Sequence, residues 1–288
     1  MYKFDAKGEP VDETFRAIAL DQLDEALVDL DKGDGEGRSV VHEARRRCKK
    51  LRGLLRLVRP AFPDFATENA AIRDAAALLS HLRDAEVQRQ TVADLDKWRP
   101  HEALERIMDR LATAAGGGDE SEKLAQFRAE LRAIRDRAAG WQLTRSGSDA
   151  LMPGLRKTYR SARRRMARAQ RSGLALHFHE WRKANKNHGF HVDLLKRSAP
   201  EMLPAELDAT DALSTLLGLH HDLAVLRDAL DHAPQRFGEA ADLAVLAATI
   251  EARRLEVEQQ SFGLGRQINA ERPRALCRRY AAYWKSVP

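Results

Sequence analysis

One pattern occurs twice in this chain, and it limits the possible folds more than any other feature. Val41-His42-Glu43-Ala44-Arg45-Arg46-Arg47-Cys48-Lys49 aligns with Phe178-His179-Glu180-Trp181-Arg182-Lys183-Ala184-Asn185-Lys186 at an offset of 137 residues. Farther on, Leu78-Leu79-Ser80-His81-Leu82-Arg83-Asp84-Ala85-Glu86-Val87 aligns with Leu216-Leu217-Gly218-Leu219-His220-His221-Asp222-Leu223-Ala224-Val225 at an offset of 138. A pairing that survives from one segment to the next with a one-residue slip points to duplication of a structural unit. Two related halves are therefore expected, 1–145 and 150–288. Each has four to five helical stretches, enough for a four-helix bundle with an accessory helix.

The periodicity is helical throughout. Phe15, Ile18, Ala19, Gln22, Leu23, Ala26 and Leu30 follow a 3.6-residue repeat, and Gly33-Asp34-Gly35-Glu36-Gly37 ends it. A second helix is predicted from about Ser39 to Pro60, with Val41, Ala44, Cys48, Leu51, Leu55 and Val58 as its apolar stripe. Further helices are expected over 66–95, 101–115 and 119–143, and then over 153–171, 174–198, 205–218, 219–233, 239–261 and 272–285. Thr144-Arg145-Ser146-Gly147-Ser148-Asp149 reads as the linker between the halves. No segment alternates with period two for long enough to argue a strand, so the fold class is all-α.

Charge is concentrated. Residues 38–59 hold nine Lys/Arg against Glu43 alone, and residues 156–197 hold thirteen against Glu180 and Asp193. Those segments carry +8 and +11, so the rest of the chain must carry −13 to reach the net +6. On the second helix His42, Arg45, Lys49, Arg52 and Arg56 recur at steps of three and four, along one side, with Arg46 beside them. His179, Arg182, Lys183 and Lys186 repeat the arrangement, while Phe178 and Trp181 take core positions. A third run contains Arg156, Arg160, Arg163, Arg164 and Arg171. Like charges at this spacing repel, and a partner bringing negative charge removes that cost. Guanidinium forks and ammonium groups suit phosphate oxygens, and a linear row suits a repeating polyanion. His42 and His179 either touch the ligand or hold a neighbouring helix, with Asp84 and Asp222 as partners. An anionic ligand raises a histidine pKa, so binding is expected to strengthen from pH 8 to 6.

Several function classes lack support. The start Met1-Tyr2-Lys3-Phe4-Asp5 is not that of a secretory signal, and no stretch has the roughly 20 apolar residues of a membrane span. Two cysteines, Cys48 and Cys277, make no disulfide framework. A cytoplasmic protein with no membrane partner is expected. There is no Gly-rich phosphate loop, no Ser/His/Asp arrangement and no carboxylate cluster for magnesium, so no enzyme and no cofactor are expected. His177-x-His179, His188-x-x-His191 and His220-His221 are the nitrogens a metal would use, but thiolate or carboxylate companions are missing and no metal is expected. Nucleic acid shares the electrostatics. It is disfavoured because the rows hold almost no aromatics besides Tyr159 and Trp181, and Trp181 is in phase with the core.

The motifs His42-Glu43-x-Arg45-Arg46-x-x-Lys49-x-x-Arg52 and His179-Glu180-x-Arg182-Lys183-x-x-Lys186 resemble the CHAD family, the conserved histidine α-helical domain. Arg83-Asp84-x-x-Val87, His221-Asp222-x-x-Val225 and Gly154-Leu155-Arg156-Lys157-Thr158-Tyr159-Arg160 strengthen the likeness, which runs over nearly the whole chain. The resemblance implies two four-helix bundles facing each other across a basic cleft. It also implies non-catalytic binding of inorganic polyphosphate by the histidines and cations of the facing helices, with recruitment to polyphosphate granules as one compatible role. Asn187 and Gly189 stand where the first half has Lys50 and Arg52, so the second row is shorter.

Overall fold

The computed structural model describes residues 2–8, 10–31, 37–79, 84–113 and 121–287. It contains α1 (Val11–Asp31), α2 (Gly37–Val58), α3 (Phe65–Ala77), α4 (Asp84–Trp98), α5 (Glu102–Thr113) and α6 (Ser121–Ala138). These are followed by α7 (Gly147–Ser172), α8 (Ala175–Leu195), α9 (Leu203–His232), α10 (Ala240–Ile268) and α11 (Pro273–Ser286). No strand occurs among the described residues, and no helix among them is long and apolar enough to cross a membrane.

The apolar stripes form the core. All seven stripe residues of α1 are buried. Every predicted stripe residue of α2 is buried too, together with Leu54 and Leu57. The buried face of α2 is wider than a single stripe because α1, α3, α7 and α8 all pack on this helix. Two glycines let these helices approach. A Cβ on Gly154 of α7 would stand 1.8 Å from the Leu57 carbonyl oxygen, and one on Gly53 of α2 would stand 2.8 Å from Phe190 of α8. Helix α7 ends at Gly173, whose φ of 63° suits glycine.

Three helix boundaries differ from the expectation. The stretch 66–95 is two helices, α3 and α4, with a turn at Leu78–Leu79 and residues 80–83 outside the described part. The pair 205–218 and 219–233 is one helix, α9, because Leu213, Leu217, His220 and Leu223 continue a single buried stripe past Gly218. The expected linker is partly helix: α7 begins at Gly147, after the extended Ser146, with Asp149 in its first turn where a carboxylate favours the helix dipole.

Apolar clusters draw on both sides of the 145–150 region. The largest joins α1, α2, α3 and α6 to Leu151, Leu155, Tyr159, Val192, Leu194 and Tyr280. A second unites Val92, Leu95, Leu104, Ile107 and Leu111 of α4 and α5 with Leu223, Leu226, Leu246 and Ile250 of α9 and α10. A third surrounds Trp181 with Ala169, Phe178, Leu213 and Leu217.

His188 and His191, on the inner side of α8, are fully buried. The His188 ring lies 5.1 Å from that of Tyr159, and His191 Nε2 is 3.1 Å from the Gly53 carbonyl oxygen. Burial, then the Arg279 charge, pushes His188 down to about 4; burial, then His188, pushes His191 down to about 3. Unfolded histidines titrate near ~6.5, so the unfolded chain takes up these protons first as pH falls. The stability is intact above that value and declines as pH drops toward the folded pKa values. At pH 5 the expected loss is ~2 kcal/mol per histidine. Urea unfolding at pH 7.5 and pH 5 measures it, and the difference should shrink in His191→Gln. An equal unfolding free energy at both pH values would show that these rings are not held neutral.

Candidate polyanion-binding faces

Helix α2 presents its cations unevenly. His42, Arg46 and Lys49 are exposed, whereas Arg45, Arg52 and Arg56 are half-buried. Arg46 Nε donates to Glu43 at 2.7 Å. Arg52 Nε donates to Asn69 Oδ1 of α3 at 3.2 Å, and Arg56 turns back to donate to the Arg52 carbonyl at 3.0 Å. Burial lowers the pKa of Arg52, and burial with the Arg52 and Arg59 charges lowers that of Arg56 to about 10. Arg47, off the row, clasps α1 through Asp29 at 2.8 Å and through Glu25. Between α2 and α3 lies a cavity of about 200 Å³ lined by Arg45, Cys48, Lys49, Arg52, Arg73, Ala76 and Ala77.

On α8 the row meets α9. The His179 ring is 4.5 Å from that of His221, and its buried Nδ1 has no hydrogen-bond partner among the described residues. Burial is the main cause, ahead of the His221, Lys183 and Arg182 charges, of a His179 pKa pushed down to about 4. His179 is therefore neutral in the free protein over pH 6–8, and an anion must raise its pKa by more than two units before binding responds in that range. Arg182 lies beside Gly218, where a Cβ would be 3.8 Å from Nε, and this buried Nε also has no partner among the described residues. The pKa of Lys186 is lowered by burial and by Arg182, while Asp211 and Asp222 act in the opposite sense. Lys183 is tied to Glu180 at 2.8 Å, and Glu180 also meets Arg165 of α7. His220, adjacent to His221, turns away to Glu258 at 3.0 Å and stacks on Phe178.

The α7 run divides among three roles. Arg160 and Arg164 are exposed, with no ion pair or hydrogen bond among the described residues. Arg163, expected in the binding set, donates to the Glu271 carbonyl at 2.6 Å; the Tyr159 hydroxyl donates to the Ile268 and Glu271 carbonyls beside it. That pair closes the C-terminal end of α10, so Arg163 also braces the fold there. Arg165 carries the contact to the α8 row instead. Nothing in an arginine-rich helix marks which arginine finds which acceptor. Arg73 of α3 lines the cavity beside the α2 row, and no motif in the sequence marks it. Arg83 lies outside the described residues, as does the side chain of Asp84. Among the described residues no three His, Cys, Asp or Glu side chains gather in a way that could hold a metal ion.

Fold and faces together define an all-helical protein that carries histidine-led rows of partly desolvated cations on two helices. Residues 17–231 match the model of the CHAD domain, and the chain belongs to that family. A search of curated proteins found no match.

Proposed function

We propose that this protein binds inorganic polyphosphate without catalysis, through the faces of α2 and α8. The observation that carries this reading is the partial burial of like charges: Arg52, Arg56 and Lys186 all have lowered pKa values with burial as the first cause. Desolvated cations in a row are costly until an anion arrives, and a chain of phosphates supplies charge at regular intervals. Membership of the CHAD family supports polyphosphate as that anion. Duplication is supported by helix starts: α2 and α8, α3 and α9, and α5 and α10 each begin 138 residues apart. In this reading α1–α6 and α7–α11 are two related bundles whose basic faces, α2 with α8 and the exposed Arg160 and Arg164, border a cleft. The same reading puts the protein in the cytoplasm, at polyphosphate granules where these form.

Calorimetric titration with long-chain polyphosphate, ATP and duplex DNA tests it. Polyphosphate should bind far more tightly than the other two, and log K should fall with log salt by about 0.7 for each phosphate engaged, as for a single-stranded polyanion. Equal affinity for DNA would favour a nucleic-acid-binding protein. A flat salt response would remove the electrostatic basis altogether.

A further inference from the structure

One of the differences between the two halves bears on what kind of phosphate group each can hold. In the cavity between α2 and α3, Arg45, Lys49 and Arg52 come from one helix and Arg73 from the other, so cations approach from two sides. Cys48, Ala76 and Ala77 are small and leave the room. Burial pushes the Cys48 thiol up to about 12, so it adds no negative charge. At about 200 Å³ the space is below the ~300 Å³ at which pockets for drug-sized ligands begin, and suits one or two phosphoryl groups.

Internal and terminal units of a phosphate chain are chemically different. An internal unit has two non-bridging oxygens and a single charge. A terminal unit has three, and like a phosphate monoester it carries about −1.5 to −2 charges at pH 7. A row along a helix serves internal units. A concave site with guanidinium groups on two walls serves the terminal one.

We propose that the cavity lined by Arg45, Lys49, Arg52 and Arg73 is an end-group site, which takes the terminal phosphoryl group of an oligophosphate or polyphosphate chain. This rests on the polyphosphate reading above. Arg52 is already braced by Asn69. Arg73 is held by its neighbour Asp74 through two hydrogen bonds, at 2.7 and 3.0 Å. That pair is exposed, 57% and 63%, so it contributes little and gives way to a stronger anion.

The second half has no such site. By the 137–138 offset, Gly189 stands where the first half has Arg52 and Asp211 stands where it has Arg73. Asp211 Oδ1 lies 3.8 Å from where a Gly189 Cβ would sit, and its charge acts on Lys186. A carboxylate therefore occupies the quarter that holds a guanidinium in the first half, and it repels a phosphoryl terminus. Among the described residues this leaves one end-group site, so a bound chain is anchored at one end.

The test titrates tripolyphosphate, inorganic phosphate, and long polyphosphate with free or phosphoramidate-blocked ends, into wild type, Arg52→Gln/Arg73→Gln and Asp74→Asn. Tripolyphosphate should bind wild type once per chain, bind the double variant at least ~10-fold more weakly and bind Asp74→Asn a few-fold more tightly. Asp74 is exposed, so that variant keeps the fold and the prediction stays testable if the double variant does not. Blocking the ends of long polyphosphate should weaken wild-type binding about 3- to 10-fold, and the gap should close in the double variant. Equal binding of blocked and free chains, with tripolyphosphate indifferent to all variants, overturns the end-group site and leaves the polyphosphate reading intact. Inorganic phosphate competing as well as tripolyphosphate overturns the chain end as its occupant. Long polyphosphate that fails to bind, beside tripolyphosphate that binds and responds to the variants, sinks the broader reading and keeps a terminal-phosphoryl site.

Discussion

Replacing Arg45, Lys49, Arg182 and Lys186 together by alanine is expected to weaken polyphosphate binding on the order of a thousandfold while helicity is kept. At a net ~1 kcal/mol for each half-exposed charge-assisted contact, four of them amount to ~4 kcal/mol, or about three decades in Kd. The stability readout moves in a different direction. Arg182 lowers the pKa of its neighbour Lys186, so the two repel, and a buried Arg182 Nε has no partner among the described residues. Alanine at these α8 positions relieves the repulsion and has the better helix propensity. The Arg182→Ala/Lys186→Ala pair should therefore melt no lower than wild type while binding less tightly. Calorimetry and a thermal melt on the same samples decide it. An affinity within threefold of wild type in the fourfold variant would reduce the rows to solvated surface.

The second large effect concerns the fold. Gly154→Ala is expected to destabilise the protein by ~3 kcal/mol or more, at or above the top of the usual range for an overpacked core. On helix propensity alone the change would gain about 1 kcal/mol. Against that, the added Cβ would stand 1.8 Å from the Leu57 carbonyl oxygen and 2.8 Å from that of Arg56, and both are backbone atoms that cannot rotate away. Helices α2 and α7 must separate, and the cluster that joins them opens. A fall in Tm of roughly 5 °C or more follows for a chain of this size. Gly53→Ala is the natural comparison, because its Cβ would meet Phe190 Cβ and ring at 2.8 Å, a milder overlap than 1.8 Å from a carbonyl oxygen, so it should destabilise less. A Gly154→Ala protein that melts at or above wild type would show that the α2–α7 crossing is looser than described.

What could be read beforehand depended on whether the deciding contact was local. The stripe of α1 and that of α2 follow from 3.6-residue spacing, and each residue named from that spacing is buried. The turn after α3 and the continuity of α9 were not legible, since the same apolar phase runs through both segments and only neighbouring helices decide where a turn is needed. On α7 cations recur at nearly every third or fourth position, so spacing could not separate Arg163 from Arg165. Their partners, Glu271 and Glu180, are 108 and 15 residues away. The α2 row was legible as a line of charge. The cavity beside it was not, because it needs α3 to bring Arg73 across. The burial of His188 and His191 was not legible either, because it is set by Tyr159 and Gly53, which other helices bring against them.

The joining of α4 and α5 to α9 and α10 has a consequence for how the chain is made. The apolar side of the first pair, from Val92 to Leu111, is covered by residues that begin only at Leu223. More than a hundred residues separate the two, and at roughly 5–20 residues per second a ribosome needs on the order of ten seconds to cross that gap. During that interval the nascent protein carries a greasy helical hairpin with nothing to cover it. The N-terminal half therefore completes its burial only after most of the C-terminal half has emerged, which makes this hairpin the natural target for a chaperone.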